Sequence, residues 1–295
     1  MAATRTAKGT AEGKNPTFPV TAISSLTVAN GASLICGVVM DDRNSLAATG
    51  YSLEWNSTAM NEDLADNPSG QVAKKAWIMG LHNVSGATGN LVIDHDRETY
   101  FALWATQVEG LVASPLDETA TDDGDSTTPN SGVTATTGVA DAFLVGNAFS
   151  NEDDNSLPLG TNTGDCSSDG QSVATSGGGS PNTEATAQET YATVSSTGTY
   201  DNSFTGFPNQ PWICQIAAYE IDTTAPTRDH RGNNPMGALL PLLPLAGLLK
   251  LSRSLHKVVT RRRFLGGSKM ISALLCAHAT TGATTLNQGA RTDNV

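Results

Sequence analysis

The chain has 295 residues, 38% hydrophobic, 5% aromatic and 16% charged, with a formal net charge of -12. That length fits one or two domains, and so little charge argues against a long helical bundle. Leu, Ile, Val and Phe together make up a little under a fifth of the residues, at the lower edge of globular composition.

Residues 1–222 hold 7 Lys/Arg against 27 Asp/Glu, a net of -20, whereas residues 223–295 hold 10 against 2, a net of +8. An acidic body repels phosphates, which excludes nucleic acid as its partner. Residues 1–21 read as an arm preceding the folded body. Met1–Asn15 is small, polar and mildly basic, without the apolar stretch of a secretory signal, so export by that route is not expected.

From Ala22 to Asp222 the apolar residues come in short bursts between Gly, Ser, Thr, Asn and Asp, the pattern of many strands joined by turns. Ser33–Met40 (SLICGVVM) is almost continuously apolar and reads as a central strand. Tyr51, Leu53 and Trp55 alternate with polar residues, and Trp77, Met79 and Leu81 alternate with Ile78 and Gly80, which predicts strands with one buried face. Leu91–Asp94 and Thr99–Gln107 read as a hairpin joined through His95–Glu98. Ala142–Phe149 is a second central candidate. The last strand, Trp212–Ile221, places Trp212, Cys214, Ile216 and Ala218 on one side and Ile213, Gln215, Ala217 and Tyr219 on the other. Ser114–Gly138 and Gly160–Gly198 are tracts of Thr, Ser and Gly with almost no core material, expected as loops or edge strands. Together these elements predict an all-β fold, an antiparallel two-sheet sandwich over residues 22–222, followed by a non-β basic tail over 223–295.

Candidate chemistry is sparse. Cys36, Cys166, Cys214 and Cys276 lie far apart with no C-x-x-C pair, which removes zinc-knuckle and thioredoxin-type readings. Cys36 and Cys214 sit in apolar strands and read as reduced core residues, with a Cys36–Cys214 bridge as the alternative. Asp94-His95-Asp96 with Glu98 is the densest set of metal-ligand types, but neighbouring residues on a strand face opposite ways, and solvated turn residues account for it. Asp122-Asp123-Gly124-Asp125 and Asn151–Asn155 lack the ligand spacing of a calcium loop. G-x-S-x-G, H-E-x-x-H and phosphate-loop motifs are absent, and His82, His95, His230, His256 and His278 occur singly. No catalytic residue, metal or cofactor is expected. Trp55, Trp77, Trp104 and Trp212 are assigned to the core, with a sugar-binding platform as the alternative. Two glycosylation sequons, at Asn56 and Asn83, carry no weight without export.

The order of pieces resembles a widespread β-sandwich module, Ig-like or jelly-roll-like, of tailed-phage virion proteins and bacterial surface proteins. The likeness rests on Leu34–Met40, Tyr51–Asn56, Lys75–Val84 followed by the segment SGATGNLVID (residues 85–94), Tyr100–Val108, and Pro211-Trp212 leading to Glu220-Ile221. It covers roughly residues 22–222; the polar stretch 160–200 departs from the compact pattern. The resemblance implies a structural or adhesive role and brings no catalytic residue with it.

The tail opens with an apolar segment, 236–249 (MGALLPLLPLAGLL), interrupted by Pro241 and Pro244. Fourteen helical residues reach about 21 Å, short of a bilayer core of roughly 30 Å. Leu239, Leu240, Leu242, Leu243, Leu245, Leu248 and Leu249, with Arg261, Arg262 and Arg263, are the expected docking residues: apolar surface to bury against a neighbour and cations to meet its acidic body. The expected partners are other copies of the chain and other virion structural proteins. The function expected is that of a non-enzymatic component of a tailed phage, as capsid decoration, fibre or tail spike, made in the host cytoplasm and located on the virion. Two other readings stay open: an adhesive module for host-surface glycan, and an envelope-anchored protein of the bacterial surface.

Overall fold

The chain divides into a unit spanning Met1–Thr227 and another spanning Arg228–Val295. A computed structural model describes residues 2–14, 16–41, 51–66, 74–95, 100–150, 159–175, 185–207 and 209–224, all of them in the first unit. Among these the regular structure is entirely β: sixteen strands in antiparallel sheets, with no helix.

The central sheet has the order β1 (Thr4–Lys14), β9 (Tyr100–Glu109), β3 (Ser33–Asp41), β7 (Lys74–Leu81), β6 (Asn61–Asp66). A smaller sheet, β2 (Val20–Val28), β8 (Ala87–Asp94), β4 (Ser52–Trp55), β5 (Thr58–Ala59), packs on one face. The other face meets a second five-stranded sheet, β10 (Leu111–Ser126), β16 (Gln210–Ile221), β11 (Asp141–Ser150), β14 (Thr186–Ser195), β13 (Ser168–Ala174). A short ribbon joins β12 (Thr161–Asn162) to β15 (Phe204–Thr205). The antiparallel sandwich expected from the sequence is present, with one sheet shared between two sandwiches.

Sharing explains the composition of the middle strands. Along β3, Leu34, Cys36, Val38 and Met40 enter the core with the smaller sheet, while Ile35 and Val39 enter the core with the larger one. β9 divides likewise, with Phe101, Leu103 and Ala105 on one side and Tyr100, Ala102, Trp104 and Val108 on the other. A strand buried on both faces reads as a continuous apolar run. Gly37 stands opposite Trp104 in the β3–β9 register, and a Cβ there would come within 2.2 Å of the indole. The indole thus occupies volume that any other residue at 37 would take.

Three expectations change. Trp77 and Met79 do face one core, but Ala76 and Ile78 face the other, so β7 is buried on both sides. Leu91–Asp94 and Thr99–Gln107 are not a hairpin: β8 pairs with β2 and β4, and β9 pairs with β1 and β3. A strand apolar on both faces belongs in the sheet covered twice, and β8, with alternating burial, belongs outside it. Residues 4–14 of the expected arm form β1, an edge strand of the central sheet, held by its backbone ladder more than by buried side chains.

The polar tracts are also more ordered than their composition suggests. Ser114–Ser126 belongs to the edge strand β10, as expected, but β14 lies inside its sheet between β11 and β13. Its buried polar side chains are met individually: Gln188 Oε1 accepts from Leu159 N at 2.8 Å, and Thr190 Oγ1 donates to Asn202 Oδ1 at 3.0 Å. Residues 131–137 form a strap in which every third residue faces inward. The amides of Ser131, Thr134 and Thr137 donate to the carbonyls of Asn202, Tyr200 and Gly198, each at 2.9 Å. Their hydroxyl oxygens accept, in return, from the amides of the same three partners at 3.0, 3.1 and 3.2 Å. The segment 198–207 and Leu159 cover the outer face of the large sheet, closing Leu144, Ile216 and Ala218 under Tyr200, and Ala148, Trp212 and Cys214 under Leu159, Phe204 and Phe207. Reciprocal hydrogen bonding here replaces the apolar burial that the tract lacks.

Overpacking at Gly37 is expected to cost about 1–3 kcal/mol, so Gly37→Ala is expected to lower the urea midpoint with little change in slope. Thr134→Val strips the acceptor from the buried Tyr200 amide and is expected to cost about 1–3 kcal/mol, read in the same unfolding experiment.

Candidate functional site

One constellation of titratable side chains lies at the β6 edge of the central sheet. In the β3–β7 register Leu34 faces Leu81, so Ser33 and His82, one position further along each strand, stand near one another. The His82 Nδ1 and Ser33 Oγ are 3.1 Å apart. Asp63 is the extra residue of a bulge in β6, where the register with β7 shifts between Glu62 and Leu64. A bulge re-aims the side chain it carries, and the Asp63 carboxylate stands 3.0 Å from His82 Nε2 and accepts from Tyr219 Oη of β16 at 2.8 Å. Gly80 makes room for this pair, since a Cβ there would fall 2.1 Å from Asp63 Oδ2 and 2.4 Å from His82 Nε2. The His82 and Tyr219 rings lie 5.6 Å apart, tilted at 52°.

Ser, His and Asp in hydrogen-bonded succession are the residue types of an acid–base–nucleophile relay. A nucleophile also needs open space at its oxygen and donors for the developing oxyanion. Ser33 is 2% exposed. The adjoining shallow cavity, of about 320 Å³, is lined by Asn61, Leu81, His82 and the β10 segment Ala113–Leu116, without Ser33. A molecule seated there would meet the His82 ring and not the serine hydroxyl. What the arrangement does is tie β3, β6 and β7 of the central sheet to β16 of the large sheet through one carboxylate.

Burial, and then the facing Asp63 carboxylate, pushes the Tyr219 hydroxyl well above its ordinary range. Burial followed by the charge of Glu62 does the same to Tyr51, whose hydroxyl lies 2.9 Å from Met79 Sδ. Burial also raises the thiols of Cys36, Cys166 and Cys214. All three are free. Cys36 packs between the central and small sheets, whereas Cys214 faces the opposite side of the large sheet and donates to the Asn202 carbonyl at 3.1 Å. The alternative of a Cys36–Cys214 bridge is therefore overturned.

Trp55, Trp77, Trp104 and Trp212 are all buried and divided among three cores, so they form no common platform. Trp104 Nε1 donates to Asn147 Oδ1 at 2.9 Å, Asn147 Nδ2 to Gln215 Oε1 at 3.0 Å, and Gln215 Nε2 to the Ala76 carbonyl at 3.1 Å, a polar chain that locks the register of the two large sheets. His95 is buried at the end of β8, while Asp96 and Glu98 fall outside the described residues. Among the described residues no group of three His, Cys, Asp or Glu could hold a metal ion. Asp122, Asp123 and Asp125 lie along β10 rather than in a loop. Asn56-Ser57, the first sequon, forms the two-residue turn between β4 and β5, with φ of 50° and 62°, the backbone that such hairpins require. The acidic stretch 151–155, Cys276, and the expected docking residues Leu239, Leu240, Leu242, Leu243, Leu245, Leu248, Leu249, Arg261, Arg262 and Arg263 lie outside the described residues. Sequence reasoning missed Ser33, Asp63 and Tyr219, which are separated by 30 and 156 positions. Gly80 inside a strand, marking a close approach, was the available signal.

The chain matches no family model, no curated protein and no solved structure. Among the described residues no helix is long and apolar enough to cross a membrane.

Tyr219→Phe removes one of the two donors to Asp63 and is expected to cost about 1.5–3 kcal/mol, measured by denaturant unfolding. Because the phenols of Tyr51 and Tyr219 and the three thiols hold their protons more tightly when folded, their contribution is fully present below the ordinary thiol and phenol values. It is lost as pH rises above them, from about pH 9. Tyrosinate absorbance is expected to rise together with loss of the β dichroism, and a thiol-reactive dye to reach these cysteines only then.

Proposed function

We propose that the chain is a non-enzymatic structural component of a tailed-phage particle, as capsid decoration, fibre or tail spike, that docks on its neighbours through the segment from Leu239 to Arg263. The observation that supports this reading is how the body uses its polar chemistry. The buried polar groups of the Asp63, Asn147 and Ser131–Thr137 networks join strand to strand and sheet to sheet. A scaffold of that kind transmits load and presents a surface. The division of charge, -20 over residues 1–222 and +8 over residues 223–295, supplies attraction between the body of one copy and the tail of the next.

The partners in this reading are further copies of the chain and other virion proteins, and its location is the virion. The glycan-binding alternative gains no specific support, because the tryptophans that would furnish its platform are interior.

The test uses the full chain. Wild type is expected to sediment as assemblies at low salt that dissociate near 1 M salt, where the screening length falls to about 3 Å. Arg261→Glu, Arg262→Glu and Arg263→Glu together are expected to abolish the salt-sensitive assemblies while leaving the β dichroism unchanged. Persistence of those assemblies in the triple variant would refute the docking role of the tail.

A further inference from the structure

β1 covers the outer edge of β9 from Thr4 opposite Glu109 to Lys14 opposite Tyr100, with a single shift between Ala7 and Gly9. The two strands differ sharply. None of the eleven residues of β1 is buried, whereas nine of the ten in β9 are. The edge of β9 lies between two apolar cores and needs a partner strand for its backbone groups. β1 supplies that ladder and adds to the cores only the partly buried Ala11, which packs against the core under the small sheet.

The groove nevertheless recognises this strand at three positions spaced by four. Arg5 Nε donates to Glu189 Oε1 at 2.7 Å and its Nη2 donates to Oε2, a two-pronged pairing, with the guanidinium 4.4 Å from the centroid of the Tyr191 ring. The Glu189 side chain is fully buried, so without a cation from the incoming strand it becomes an unpaired interior charge. At the bulge, Gly9 N donates to Gln171 Oε1 at 2.9 Å, while Gln171 Nε2 donates to the Ala105 carbonyl of β9 at 2.6 Å. One side chain of β13 therefore reads both strands. At Gly13 a Cβ would fall 2.2 Å from the Phe101 ring. The groove is thus a receptor for a strand with Arg, Gly and Gly at these positions, built from β9, β13 and β14.

β1 joins the rest of the sandwich through the connector 15–19, which contains Pro16 and Pro19. Phe18 packs 6.3 Å from Phe101, centroid to centroid, so that among the described residues only Pro16 and Thr17 precede this anchor on the path from β1. Short hinges of this kind favour exchange of an element between copies, because the contacts made are the same in either copy.

We propose that the groove takes β1 from a second copy of the chain, so that neighbouring sandwiches are joined by exchange of Thr4–Lys14. This rests on the assembly reading above and assigns the body its own part in it.

Thr4→Cys and Glu109→Cys, introduced together in a full chain carrying Cys276→Ser, place two thiols on ladder partners within disulfide reach. After oxidation and non-reducing denaturing electrophoresis, exchange is expected to give chains linked in pairs. Mixing a Thr4→Cys chain with a Glu109→Cys chain, both carrying Cys276→Ser, is expected to give the mixed pair, and adding Gly13→Val to the first chain to abolish it by blocking the seat under Phe101. Disulfides confined within single chains, or a mixed pair whose yield survives Gly13→Val, would overturn the proposal. Charge reversal at Arg261–Arg263 is expected to leave the cross-link unchanged, which separates failure of this contact from failure of the tail contact.

Discussion

A sheet buried on both faces is the constraint from which the rest of this structure follows. β3 and β9 have no solvent side, so they can be built only from residues that pack in either direction, and the few that do not are fixed by particular neighbours. Gly37 yields its volume to Trp104, and Gln107 accepts from the Ala29 amide at 3.0 Å. The same burial makes the edge of β9 costly to leave open. A strand with no fully buried residue, β1, is bound there by its ladder, by Arg5 and by the Gly9 amide on Gln171.

Double burial also raises the cost of every interior polar group, and the molecule answers with closed sets of hydrogen bonds. Trp104, Asn147 and Gln215 form a chain across the interface of the two large sheets. Ser33, His82, Asp63 and Tyr219 form another at its margin. Arg5, Gln171 and Glu189 close a third at the opposite edge. Each set spans at least two sheets and can be satisfied in one relative register of them. Apolar contact alone tolerates sliding, whereas a buried donor displaced from its acceptor does not. These networks therefore specify how the layers sit, and the apolar clusters supply the driving force for stacking them.

This division accounts for a chain with few large apolar residues. The outer face of the large sheet is closed by segments of Ser, Thr, Gly and Asn whose backbone and hydroxyl groups bond reciprocally, as at Ser131, Thr134 and Thr137. The three-residue repeat in that strap is a different solution from the two-residue alternation of the strands it covers. Bonding of this kind closes the face of a sheet with few large apolar residues.

The amino-acid sequence by itself determined the all-β class, the central place of Ser33–Met40 and Ala142–Phe149, and the two sides of Trp212–Ile221, because side-chain alternation is a local property of an extended chain. It also determined the separation of an acidic body from a cationic tail. Tertiary structure alone decided which strands share a sheet, that β8 and β9 part company, that residues 4–14 complete the central sheet, and that Asp63 meets His82 and Tyr219. Strand pairing and buried polar contacts join residues up to 184 positions apart. The energy of a long-range contact depends on what stands opposite, and no local pattern records that.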